Sequence, residues 1–69
     1  MDFRRLGMIT QKDKDDLAGR LCTIDGKPAT ISGRLLEFAV VGSFDRTTKA
    51  EFSWEAVKRI MAKNGKFSS

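Results

Sequence analysis

Histidine and tyrosine are absent from this chain, and cysteine and proline occur once each. Each shortage removes a class of function. Without histidine the chain lacks the commonest general base at neutral pH and the commonest metal ligand. The lone Cys22 cannot close a disulfide within the chain, and one cysteine without histidine excludes the usual zinc frameworks. No apolar run approaches the ~18 residues of a membrane span; the longest, Phe38 to Val41, is four. The opening Met1-Asp2-Phe3-Arg4-Arg5 leads into no apolar stretch, so it does not read as a secretory signal. The expected location is the cytoplasm, with no membrane partner.

What remains is 69 residues, room for one domain. A domain of this size hides only roughly 60% of its unfolded surface, so its core must be efficient or a partner must add to it. The apolar fraction of 41% is well above that of disordered chains, and folding is expected. Thirteen Lys and Arg against nine Asp and Glu leave a net charge of +4. That bias is modest, so its distribution over the surface decides more than its total.

Residues 1–9 read as a flexible tail and 10–69 as a single small domain. In the tail Phe3, Leu6, Met8 and Ile9 fit neither helical nor strand spacing. Thr10 followed by Asp13 is a capping-box signal for a short helix over residues 11–18, with Gly19 as its stop. Its apolar face is limited to Leu17 and Ala18.

Ile24-Asp25-Gly26-Lys27 predicts a hairpin, because Asp-Gly tolerates the positive φ angles of a type I′ turn. A two-residue loop pairs Ile24 with Lys27, Thr23 with Pro28 and Cys22 with Ala29. Thr23–Pro28 is then a non-hydrogen-bonded pair, which a proline accepts on an edge strand. The same register puts Cys22, Ile24, Ala29 and Ile31 on one face. Gly33 predicts a bend or bulge. Beyond it Leu36, Phe38 and Val40 alternate with Leu35, Glu37, Ala39 and Val41, which predicts a central strand apolar on nearly both faces. Residues 42–48 read as a loop and 49–52 as a fourth strand.

Ser53 is a good N-cap. Behind it Trp54, Val57, Ile60 and Met61 fall on one stripe of an α-helix, opposite Glu55, Arg59 and Lys63. Asn64-Gly65 ends that helix, and Phe67 is placed to fold back onto its end. The expected class is therefore α+β, mainly β: a small antiparallel, partly closed sheet of four or five short strands with a C-terminal helix.

No residue cluster carries recognisable chemistry, and no enzyme, cofactor, metal or small-molecule substrate is expected. Asp13, Asp15 and Asp16 lack the glycine and oxygen-ligand spacing of a calcium loop and suit the first turns of a helix. Cys22 sits on the apolar hairpin face as a small core residue. Gly26-Lys27 and Gly65-Lys66 belong to no glycine-rich loop that opens a helix. Arg59 has Glu55 one turn earlier, and Lys63 suits a helix C-terminus. Arg4, Arg5, Arg34, Arg46 and Lys49 have no such local explanation. Arg34, Arg46 and Lys49 would supply phosphate contacts on one basic strand-and-loop face, with Phe44 as an exposed aromatic.

The order hairpin, bend, strand, loop, short strand, helix over residues 17–62 resembles the small SH3-like barrels, in architecture alone. That resemblance implies a binding module for nucleic acid or for peptides. The runs Asp25-Gly26-Lys27-Pro28-Ala29 and Phe52-Ser53-Trp54-Glu55-Ala56-Val57 also resemble small uncharacterised phage or mobile-element proteins. Two functions from different classes follow. One is a nucleic-acid-binding module working through Arg34, Arg46, Lys49 and Phe44. The other is a protein-interaction module, either a homodimer or a phage accessory factor that occupies a host protein, with an apolar patch around Leu35, Phe44 or the tail residues Phe3 and Leu6.

Overall fold

The Asp25-Gly26 pair sets the first hairpin. In the computed structural model, which describes residues 9–69, Asp25 (φ 51°) and Gly26 (φ 81°) both take positive φ. This is the turn geometry whose twist matches the flanking strands. It joins β1 (Leu21–Ile24) to β2 (Lys27–Ser32) with Ile24 opposite Lys27, Thr23 opposite Pro28 and Cys22 opposite Ala29, the register expected from the sequence. Pro28 differs from expectation in one respect. Its strand is not an edge: β2 lies between β1 and β3 (Phe38–Ser43). The proline is tolerated because β3 ends at Ser43, opposite Ala29. At Pro28 the ladder needs only a carbonyl, which accepts from the Phe44 amide at 3.0 Å.

β4 (Lys49–Ser53) pairs antiparallel with β3, and β5 (Lys66–Phe67) pairs parallel with β1. The sheet order is β4-β3-β2-β1-β5. The first four strands form the antiparallel sheet expected. The short β5 makes the whole mixed, and it curls into a half-barrel. Phe67 therefore does more than fold back onto a helix end. It is buried beside Ile24, and its ring lies 5.0 Å from that of Phe52 on the far edge strand.

Strand β3 starts later than alternation suggested. Residues 34–37 form a turn, closed by the Leu36 amide donating to the Gly33 carbonyl at 2.9 Å. Gly33 takes φ 91°, and a Cβ there would stand 3.0 Å from the Phe38 carbonyl oxygen, so this bend requires glycine. Within β3 only Ala39, Val41 and Ser43 are buried, while Phe38 is 54% exposed. The strand is half-buried, with one apolar face inward.

Helix α1 (Gln11–Leu17) carries the full capping box. The Thr10 hydroxyl accepts from the Asp13 amide, and the Asp13 carboxylate accepts from the Thr10 amide, both at 3.1 Å. Leu17 anchors the helix in the core, and Ile9, assigned to the tail from sequence, packs against that core too. The rest of the proposed tail, with Phe3, Arg4, Arg5 and Leu6, lies outside the described residues. Helix α2 (Trp54–Lys63) starts at the Ser53 cap, whose hydroxyl accepts from the Ala56 amide. Its Trp54 and Val57 are buried, with Ile60 and Met61 partly so. The anticipated Glu55–Arg59 ion pair is not formed. Among the described residues the ion pairs are Arg34–Asp15 at 3.0 Å and Lys58–Asp13 at 3.5 Å.

Trp54, Val57, Ile24, Ile31, Val41 and Phe67 fill the concave face of the sheet. With so few large side chains each carries a sizeable share of the stability. Trp54→Ala is expected to cost about 3–5 kcal/mol and Ile31→Val about 1 kcal/mol. In urea titrations followed by far-UV circular dichroism, the first variant should be largely unfolded in buffer and the second should shift only the midpoint.

Candidate nucleic-acid interface

The β3–β4 loop is built around one carboxylate. Asp45 Oδ1 accepts from the Ser43 hydroxyl at 2.7 Å, the Thr47 hydroxyl at 2.6 Å and the Thr47 amide at 3.0 Å. The buried Ser43 hydroxyl also accepts from the Thr48 amide, and the Ser43 amide donates to the Thr48 carbonyl. Arg46, at φ 65°, closes the turn by donating its amide to the Ser43 carbonyl. These bonds turn a polar loop into a fixed platform.

That platform holds Phe44 outward, 59% exposed, with Arg46 beside it in the turn. Lys49 leads out of the loop onto the outer face of β4, where its stem covers Gly42. Lys27 joins them from the first hairpin, its ammonium donating to the Thr47 hydroxyl at 2.5 Å. Sequence reasoning missed Lys27 because the contact spans 20 residues. The loop and the Asp25-Gly26 turn share one end of the sheet, so Phe44, Lys27, Arg46 and Lys49 stand together among the carboxylates of Asp25 and Asp45.

Arg34 does not belong to this group. It lies in the β2–β3 turn, at the other end of six-residue β3, roughly 20 Å away at ~3.3 Å per residue. Its guanidinium is paired with Asp15 on α1. The expected single basic face of Arg34, Arg46 and Lys49 is thus divided: the last two share an end with Phe44, and Arg34 instead ties α1 to a turn. Of the acidic cluster, Asp13 caps the helix and pairs with Lys58, and Asp15 accepts from Gln11 and Arg34. Cys22 is half-buried, and that burial pushes its thiol up from the usual range, which keeps it protonated.

The far end has its own character. In the 33–37 turn the Leu36 carbonyl accepts from the Trp54 indole at 3.2 Å and from the Lys14 ammonium at 3.1 Å. Gln11 donates to the Arg34 carbonyl at 2.9 Å. This pinned turn leaves Leu35 77%, Leu36 53% and Phe38 54% exposed. No known protein family matches the chain, and neither a curated protein nor a solved structure matches it.

The Ser43 hydroxyl, followed by the Thr47 hydroxyl and amide, holds the Asp45 carboxyl far below its ordinary 3.8. Asp15, by Gln11 and then Arg34, and Asp13, chiefly by the Thr10 amide, are lowered too. A carboxyl lowered on folding stabilises the fold above its unfolded pKa, and this is lost as pH falls towards the folded value. Stability should therefore be level above about pH 5 and decline below the ordinary carboxylate value of 3.8. Asp45→Asn should flatten that decline, as read by urea midpoints measured from pH 7 to pH 2.5.

Proposed function

We propose that this chain is a small non-enzymatic binding module that grips single-stranded nucleic acid at the β3–β4 end of its sheet. The observation that carries the reading is Phe44, a large aromatic held in solvent by a loop that Ser43, Asp45 and Thr47 tie together. Exposing an aromatic on a rigid platform gives a base a stacking surface with no ordering penalty in the loop. Arg46, Lys49 and Lys27 supply cations around it for the phosphates. Arg34 is left out, since it is paired at the opposite end.

The test is titration of labelled single-stranded DNA and RNA at two salt concentrations. Affinity should fall steeply with salt, Phe44→Ala should weaken binding by about 1–3 kcal/mol, and Arg46→Ala should reduce the salt slope by about one. Arg34→Ala should change neither. Absence of binding at low salt removes the reading.

A second reading rests on the pinned turn with Leu35, Leu36 and Phe38 exposed, which suits a protein partner. Under it, Leu35→Ser with Leu36→Ser abolishes partner capture and leaves nucleic-acid titrations unchanged.

A further inference from the structure

Strand β4 ends the sheet, with only β3 beside it among the described residues. The Ser43 amide donates to the Thr48 carbonyl, which marks Ser43–Thr48 as a hydrogen-bonded pair. Antiparallel pairs alternate, so Ala50 and Phe52 direct their backbone groups to β3 while Lys49 and Glu51 direct theirs outward. The same two residues project exposed side chains from the convex face of the sheet, one positive and one negative. An edge of this kind accepts another strand.

We infer that its occupant is β4 of a second copy, paired antiparallel about a two-fold axis at Ala50. In that register Lys49 faces Glu51 of the partner subunit, and symmetry repeats the contact. Each such pair exchanges both of its N–H···O=C bonds, because both residues turn their amides outward. The neighbouring registers that keep the amides matched are repulsive. A shift one way sets Glu51 against its own copy, and a shift the other way sets Lys49 against its own copy. Opposite charges directly across a ladder attract and like charges repel, so the strand is self-complementary in one register and guarded in the two beside it. The contact is isologous and closes at two subunits. It joins two half-barrels through a continuous sheet, with Ala50 meeting Ala50 at the axis, where the small side chains permit close approach.

This inference shares Lys49 with the nucleic-acid reading but does not rest on it, and its test uses the protein alone. Sedimentation velocity up to about 1 mM protein should show a reversible dimer. Lys49→Glu and Glu51→Lys should each raise its dissociation constant about tenfold, and the double reversal should restore it. Glu51→Pro removes an outward donor without touching the β3 ladder. It should abolish the dimer with an unchanged far-UV spectrum. The Glu51 amide should also exchange more slowly with deuterium as protein concentration rises. A strict monomer at about 1 mM overturns the inference. So does a dimer that withstands both the proline and the charge reversals, which would place the contact on another surface. Glu51→Lys also separates the two readings: it leaves Phe44, Arg46, Lys27 and Lys49 in place, so nucleic-acid affinity should hold as dimerisation weakens.

Discussion

Phe52 and Phe67 stand on the two strands that the sheet order places farthest apart, yet their rings meet at 5.0 Å with a tilt of 59°. A flat five-stranded sheet would hold its edge strands about 19 Å apart, at ~4.8 Å per step. The contact therefore exists only because the sheet curls, and the curl makes a core possible in so short a chain. It gives Ile24, Ile31 and Val41 a concave surface that Trp54 and Val57 of α2 can fill from one side. A tilted aromatic pair adds about 0.5–1.5 kcal/mol beyond its burial, a large increment for a domain whose margin is a few kcal/mol.

The curl also sorts the surface. Inward positions are spent on packing, and α2 spends its apolar stripe closing the concave side. Polar and charged groups are left on the convex face, at the β4 edge and at the two ends. The ends differ because their turns differ. One is organised by a carboxylate that collects hydroxyls and amides, and it presents an aromatic with cations. The other is organised by a carbonyl that collects an indole and an ammonium, and it presents leucines.

Local chemistry was the legible part. The Asp25-Gly26 register, both helix caps and the stripe of α2 follow from residues within a few positions of one another, and each stands where the sequence placed it. Long-range choices were hidden. Alternation could not separate strand from turn at residues 35–37, because the turn is decided by Trp54 and Lys14 donating to Leu36 across 18 and 22 residues. The pairing of Arg34 with Asp15 is of the same kind, at 19 residues. It removed one member of the basic face anticipated from sequence. Phe44 was legible as exposed because its neighbours are turn formers, and Lys27 was not legible as its companion.

The Leu36 carbonyl links α1, α2 and the β2–β3 turn at a single atom. A seven-residue helix has little stability of its own, so α1 persists because Leu17 is seated in the core, Asp13 is paired with Lys58 of α2, and Lys14, Gln11 and Asp15 are bound to that turn. The dependence runs both ways. When α1 opens, the turn loses three of its restraints and keeps the Trp54 indole. The leucine-bearing end is thus restrained from outside, by α1 and α2, whereas the Phe44 end is tied internally through Ser43 and Asp45.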